Sequence, residues 1–371
     1  MKTFFFIIFF TIMLTLNGLV FLRTWQALTT IPSIRPIFLF CLIGGFLAML
    51  IGMIFGNYMP QSITKIISLI GFTYLILFVY LSLNFILVDV VRIANFYFHF
   101  APFGMAAFRL WTMIGTLVIS IILMGYGSYK FNNPAVVTLN LSSEKAIQHK
   151  QLKIVAASDI HLGNTIDKKR LKSYVTLINN QQPDIVLLAG DVSDRSMIPV
   201  IKQNMDEELR EIKAPLGVFA ISGNHEYFAE TPTMTADYLK NAGITYLKDD
   251  VALIDNSFYV LGRDDRSNAN RKNLDQIVNG LDKNKPKILL DHQPFHLEDA
   301  EKNDIDLQIS GHTHNGQFFP GNFIVKTMYE LAYGYLKKGK THYYVSSGLG
   351  LWGPQYRIGT QSEIVVINLK Y

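Results

Sequence analysis

Ser310-Gly311-His312-Thr313-His314 follows Asp306-Leu307-Gln308-Ile309, a short apolar run that reads as a buried strand. Two histidines one residue apart, at a strand end and beside a glycine, can both turn into one cavity. The glycine allows a sharp turn without a Cβ clash. Neutral imidazole is the commonest metal ligand in proteins, and two this close suit one metal or an adjacent pair. Two loop histidines facing solvent would give the same five letters, so the pattern has to be judged with the rest of the chain.

Working outward, four more strand-like runs end in the same kind of residue. Lys153-Ile154-Val155-Ala156-Ala157-Ser158 leads to Asp159-Ile160-His161, and Asp184-Ile185-Val186-Leu187-Leu188-Ala189 leads to Gly190-Asp191. Val218-Phe219-Ala220-Ile221-Ser222 leads to Gly223-Asn224-His225-Glu226, and Ile288-Leu289-Leu290 leads to Asp291-His292-Gln293-Pro294. Each block alone is an ordinary turn: Gly-Asp is a common turn pair, and a lone histidine is more often a satisfied core residue than a ligand. Five such blocks on five strand ends are not ordinary. In an open α/β sheet the carboxyl edge of the strands is where sites form, and the residues read this way place all five on one sheet edge. Five of the nine histidines in the chain lie in these turns.

Between the runs the pattern alternates. An amphipathic helix is expected at Asp167 to Asn180, with Leu171, Val175 and Ile178 on one face, and further helices at Asp206 to Ile212 and Thr235 to Asn241. Further strands are expected at Ala135 to Leu141, Phe258 to Gly262, His342 to Ser346 and Glu363 to Leu369. Strands alternating with helices argue for a layered α/β domain.

The first third of the chain has a different composition. Half of all 371 residues are hydrophobic and only 17% are charged, and the apolar excess lies before Gly127. Four apolar runs are long enough to span a bilayer, which takes roughly 20 residues: Phe4 to Leu22, Ile37 to Phe55, Ile63 to Val91 and Ala106 to Tyr126. No small-residue cleavage site follows the first, so it reads as an uncleaved span rather than a signal peptide. Pro32, Pro36, Asn57, Pro60 and the aromatic run Asn95 to Phe103 mark the loops. The division expected is a transmembrane domain over residues 1–130 and a second domain over 134–371. Arg23, Arg35, Arg92 and Arg109 lie on one side of the spans and Lys2, Lys65 and Lys130 on the other. The positive-inside rule puts the arginines in the cytoplasm and both termini outside, by a margin of one charge. The net charge of +5 comes with no basic run or helix, so nucleic acid is not an evident partner. The single cysteine, Cys41, excludes a disulfide framework and a thiolate metal site.

The five blocks, in this order, resemble the calcineurin-like metallophosphoesterase superfamily, whose pattern is Asp-x-His, Gly-Asp, Gly-Asn-His-Asp/Glu, a lone His and Gly-His-x-His. The resemblance covers roughly Pro134 to Tyr371. The stretches Ser158 to Gly163, Gly311 to Gln317 and Val345 to Gly350, with Arg357 beyond, are similar to a bacterial branch that is membrane-anchored or exported. Asn315 departs from the glycine often found there.

The resemblance implies a two-layer β-sandwich flanked by helices and a metal-dependent hydrolase of phosphate ester or pyrophosphate bonds. It implies two divalent transition-metal ions: manganese, iron or zinc. Asp159, His161, Asp191 and His314 would hold the first, and Asp191, Asn224, His292 and His312 the second, with Asp191 as the bridge. His225 would act as a general acid and not as a ligand. Asp264 and Asp265 resemble a family pair. Arg263 and Arg266 are read either as phosphate contacts or as surface ion pairs, and Glu226, Asp291 and His296 as supports for the ligands. Membrane anchoring points to a lipid-linked phosphate ester, with a soluble nucleotide as the alternative substrate, and to a plasma-membrane location with the catalytic domain outside. The competing functions are a metal-binding scaffold without catalysis and a membrane sensor. Intact Asp191 and His225 weigh against the scaffold, and the lack of mid-span charge weighs against a sensor or transporter.

Overall fold

The structure is a computed structural model that describes residues 2–56, 58–100, 104–143, 145, 151–228 and 232–370. Among the sequence landmarks, Asn57, the segment 101–103 and Tyr371 lie outside the described residues. The chain divides into two compact units, one of Met1–Tyr126 with Gly353–Gln355 and the other of Gly127–Trp352 with Tyr356–Tyr371.

The first unit is helical: α1 (Lys2–Ala27), α2 (Arg35–Phe55), α3 (Gln61–Phe98) and the start of α4 (Met105–Asn132). Among the described residues, three helical stretches are long and apolar enough to cross a membrane: Pro32–Phe55, Gln61–Phe98 and Met105–Asn132. The first expected span falls within α1, part of whose leading side chains lie outside the described set. A segment in hydrocarbon must satisfy every backbone group internally, and a helix does so. Where α2 and α3 meet, a Cβ on Gly71 would sit 2.5 Å from the Cα of Met49, so glycine is what lets these backbones approach. Asp89 draws Arg23 and Arg92 to itself at 2.8 Å each. Two of the arginines assigned to one side of the membrane are therefore tied to one carboxylate.

The second unit begins in the last turns of α4 and, among the described residues, holds twelve strands and seven helices: β1 (Ala135–Ser142), β2 (Gln151–Ala157), α5 (Lys168–Asn179), β3 (Ile185–Leu188), α6 (Ile198–Lys202), α7 (Asp206–Arg210), β4 (Val218–Ala220), α8 (Pro232–Asn241), β5 (Thr245–Tyr246), β6 (Asp250–Ile254), β7 (Phe258–Gly262), α9 (Leu274–Val278), β8 (Lys287–Leu290), α10 (Leu297–Lys302), β9 (Leu307–Ser310), α11 (Gly321–Met328), β10 (Gly334–Lys338), β11 (Thr341–Val345) and β12 (Glu363–Lys370). They form two six-stranded mixed sheets, ordered β1-β12-β2-β3-β4-β5 and β10-β11-β9-β8-β7-β6. The run β2, β3, β4 and β5 is parallel, as is β7, β8, β9 and β11.

Central parallel strands are covered on both faces, so they read as continuous apolar runs. In β2, Ile154 and Ala156 join Ile185, Leu187, Ile288, Leu290, Leu307 and Ile309 in the core between the sheets. Their neighbours Val155 and Ala157 face the other way, under Leu171, Val175 and Ile178 of α5. On the far sheet, Leu261 and Leu289 pack beneath α9 and α10. The result is the helix-flanked sandwich, four layers deep. Asp167 caps α5 by accepting a bond from the Arg170 amide at 3.0 Å, which satisfies an orphan donor of the first turn. The last turn of α4 buries Phe131 in this unit's core, with the Arg170 guanidinium 4.5 Å over its ring.

The sequence reading locates the strands of both sheet centres and misses β5, β6 and β10. These lie at or next to a sheet edge and are short or half exposed, so they carry no clean apolar period.

Candidate metal centre

The ligand-bearing blocks arrive from two sheets, and the single sheet edge read from the residues is corrected on this point. The carboxyl ends of β2, β3 and β4 bring Asp159 and His161, Asp191, and Asn224 with His225. The ends of β8 and β9 in the facing sheet bring His292, and His312 with His314. Past each strand the chain turns at once. Asp159, His161, Asp191, His312 and His314 all adopt positive φ, from 49° to 71°. Non-glycine residues in that region cost roughly 1–3 kcal/mol each and gather at functional sites.

All eight residues singled out in the sequence come to one cavity. Asp159, His161 and His314 form one group of converging ligand atoms; Asp191, His292 and His312 form a second; His161, Asp191 and His225 form a third. Asp191 Oδ2 lies 3.8 Å from His161 Nε2 and 3.2 Å from His292 Nε2, which sets it between the first two groups. His314 Nε2 is 3.4 Å from Asp159 Oδ1 and 3.1 Å from His161 Nε2. His312 Nδ1 is 2.7 Å from Asn224 Oδ1. Gly311 is required here for space: a Cβ would stand 2.3 Å from Asp159 Oδ2.

Burial pushes His161 and His312 down to about 4 and His314 well below the usual imidazole range, so these rings are neutral at pH 7, as ligands must be. Burial also opposes a charge on His292, but the carboxylates of Asp191 and Asp159 outweigh it and raise its pKa well above the usual imidazole range; a cation held at Nε2 would take the place of that proton. Burial raises Asp159, whereas for Asp191 it is overcome by His292, and that carboxyl falls well below its ordinary value.

The donor set fits divalent cations. Two buried carboxylates, four buried or half-buried imidazoles and an amide oxygen converge. His292 Nε2 makes no aligned hydrogen bond, its nearest carboxylate oxygen being Asp191 Oδ2 at 3.2 Å, and the far nitrogen of His161, Nδ1, has no hydrogen-bond partner. Buried polar atoms are almost always paired, so an orphan here marks a missing partner. Mixed nitrogen and oxygen donors suit manganese, iron or zinc more than a site of oxygens alone.

The ligands are held from behind. His292 Nδ1 lies 2.8 Å from the Ala189 carbonyl, the arrangement that leaves Nε2 free to bind a metal. Glu226, fully buried, accepts from the backbone amides of Asp191, Ser193 and Gly223 at 3.1, 2.8 and 2.7 Å. Its carboxyl is pushed up to about 7 by burial and by the nearby Asp191. Asp291 supports the site indirectly, through ion pairs to Arg263 at 3.0 Å and Arg271 at 2.5 Å. Arg263 is thus a buried structural cation, neither a surface pair nor a phosphate contact, while Arg266 lies over the Phe295 ring at 4.6 Å. His296 is exposed and pairs with Glu298 at 3.4 Å, so it does not support a ligand. Asp264 and Asp265 are buried and bonded to Ser222, Tyr227 and Gln293.

Two residues that the sequence reading gave no role contribute as well. Asp194 Oδ1 stands 2.9 Å from His225 Nδ1; its signal is the spacing Gly190-Asp191-x-x-Asp194. Arg357 is wholly buried and donates to the carbonyls of His314, Gly348 and Gly350 at 3.1, 3.1 and 2.5 Å. It stitches the loop carrying His314 to the loop before β12.

Comparison with known proteins agrees with this geometry. Residues 152–316, which include all eight, match the family model described as calcineurin-like phosphoesterase. An uncharacterized metallophosphoesterase of Campylobacter jejuni is 31% identical over 98% of this chain and 99% of its own. An uncharacterized metallophosphoesterase of Aquifex aeolicus is 31% identical over 68% of this chain and 98% of its own. A zebrafish (Danio rerio) transmembrane protein with a metallophosphoesterase domain is 31% identical over 68% of this chain and 62% of its own. With its ligand pattern, its fold and a relative matched along nearly its whole length, this membrane-associated chain belongs to the calcineurin-like phosphoesterase family, metal-dependent hydrolases of phosphate esters.

Proposed function

We propose that the protein is a membrane-anchored phosphoesterase working with two divalent transition-metal ions on phosphate ester or pyrophosphate bonds. In this reading residues 1–130 anchor the chain and residues 134–371 carry the chemistry. The observation that carries it is the position of Asp191 between two converging ligand groups, 3.8 Å from one imidazole and 3.2 Å from the other.

Asp159, His161 and His314 with Asp191 would hold one ion, and Asn224, His292 and His312 with Asp191 the other. When bound, such a pair neutralises the phosphate and acidifies the attacking water. The chain's own residues do the rest. His225 gives its Nδ1 to Asp194 at 2.9 Å, which orients the ring and leaves Nε2 for the substrate. Burial disfavours a charge on this ring, but the Asp194 and Asp191 carboxylates outweigh it and raise its pKa. In its protonated form, which these carboxylates favour, the ring can give its Nε2 proton to the departing oxygen. The His225 backbone amide also donates to Asp191 Oδ1 at 2.9 Å, so the loop that offers the acid also positions the bridge.

The substrate favoured is lipid-linked, because the catalytic residues share a chain with membrane-crossing helices. The arginine bias of the loops supports a catalytic domain on the outer face of a bacterial plasma membrane. Purified full-length protein should release nitrophenol from bis(4-nitrophenyl) phosphate, with activity lost to a chelator and restored by manganese, iron or zinc. Elemental analysis should find two ions per chain. Protein that binds no metal and regains no activity would refute the proposal.

A further inference from the structure

Helix α11 is amphipathic the wrong way round for a soluble domain. Phe323, Ile324 and Met328 are 57%, 60% and 58% exposed, and no residue of the helix is buried. Exposed apolar side chains scattered singly need no explanation, but a contiguous group does. Ile324 and Met328, four residues apart, neighbour each other on the helix surface, Phe323 precedes them in the chain, and Phe319 extends the group through a ring contact with Phe323 at 5.7 Å.

Both ends of this helix are fastened to the metal centre. At its start, Gly321 lies against Gly316, in the turn that carries His314; a Cβ on Gly321 would come 2.7 Å from the Gly316 carbonyl oxygen. Just beyond its end, buried Tyr329 packs on Phe295 at 4.7 Å and meets the ring of His312 at 6.2 Å. The apolar face is therefore a rigid extension of the loops that would bind the phosphate.

We infer that the exposed face of α11 is a platform for the hydrocarbon chain of an amphiphilic phosphate ester whose head group enters the metal centre. The inference rests on the phosphoesterase reading and adds the second half of the substrate. Three observations commit it to hydrocarbon. Phe323, Ile324 and Met328 offer no hydrogen-bonding group, and the hydroxyl of Thr327, exposed among them, is bonded to the Ile324 carbonyl at 2.7 Å. The face is continuous with the catalytic loops. The same chain carries helices able to cross a membrane, which keeps lipid at high effective concentration around it.

The test uses full-length protein in phosphatidylcholine nanodiscs. Cys41→Ser removes the only cysteine, and a bimane label is placed at Ile324→Cys, or at Lys172→Cys on α5 as a control. Titration with 11-bromoundecyl phosphate should quench the label at 324 saturably, at least about fivefold more than at 172. Adding Phe323→Gln and Met328→Gln should raise the half-saturating concentration about tenfold. Absent or equal quenching at the two positions would overturn the platform. Quenching at 324 by dibrominated phosphatidylcholine discs without the amphiphile would also overturn it, because the bilayer itself would then cover the face. Hydrolysis of alkyl 4-nitrophenyl phosphates is read in the same samples. Quenching without hydrolysis refutes the catalytic reading and keeps the platform; hydrolysis without quenching does the reverse.

Discussion

His225→Ala separates proton donation from metal binding. The ring belongs to a converging group with His161 and Asp191, so the geometry alone allows it a ligand's role. Its other contacts argue against one. Nδ1 is committed to Asp194 at 2.9 Å, and the bond that steadies Asp191 comes from the backbone amide of residue 225, which alanine keeps. The ring packs edge-on to His161 with centroids 4.4 Å apart, a contact worth about 1 kcal/mol that leaves His161 held by its other neighbours. The variant should therefore fold and retain two ions per chain. Loss of a general acid costs roughly 10²–10⁴-fold in turnover, or about 3–5 kcal/mol of barrier. The loss should be greatest for alkyl esters, whose leaving oxygen needs the proton, and smaller for nitrophenyl esters, whose leaving group departs as a stable anion. Steady-state rates on both substrates, with metal content measured on the same preparation, decide it. Loss of one ion would show that His225 is a ligand. Equal losses for good and poor leaving groups would show that it binds the phosphate and transfers no proton.

Asp191→Asn should lower the content of both ions together in elemental analysis, whereas His314→Ala should lower one first; independent loss in the Asp191 variant would remove the bridge. Asp194→Asn should cut turnover on alkyl esters by roughly 10–100-fold while leaving metal content intact, because it withdraws the orienting contact to His225 and no ligand. Asp264 is held below the ordinary carboxylate range: burial works against this, but bonds from Ser222, Tyr227 and Asn268 prevail. A depressed folded pKa stabilises the fold above the unfolded value of about 3.9, and that contribution is lost as pH falls through the folded pKa. Asp264→Asn should therefore lower the melting temperature at pH 7, with the gap to the parent narrowing as pH falls below the ordinary carboxylate range; a constant gap would contradict this. Reporter fusions at Tyr58 and after Tyr371 should mark one side of the membrane and a fusion at Thr29 the other, with the Tyr371 side external.

By itself the sequence singled out the candidate ligands and the element types that carry them. Runs such as Ile185 to Leu188 are apolar at every position because both faces of a central parallel strand are buried, and the polar residue that follows each run is conspicuous for that reason. The helix expected at Asp167 to Asn180 was legible from its apolar face, Leu171, Val175 and Ile178. Composition alone marked the step from membrane helices to the α/β unit. Tertiary structure decided what depends on contacts distant in the chain. That the five blocks meet from two facing sheets follows from the shared core of Ile154, Leu187, Ile288 and Ile309, which no local pattern records. Gly311 is small because Asp159, far away in sequence, stands where its Cβ would be. Arg263, Arg357 and His296 could not be ranked by type: a cation's role is set by whether a carboxylate, a row of carbonyls or solvent surrounds it, and only the packed chain supplies those surroundings. The apolar face of α11 was hidden for the same reason. No local pattern tells whether Phe323, Ile324 and Met328 meet a core or the outside, and the fold leaves them exposed.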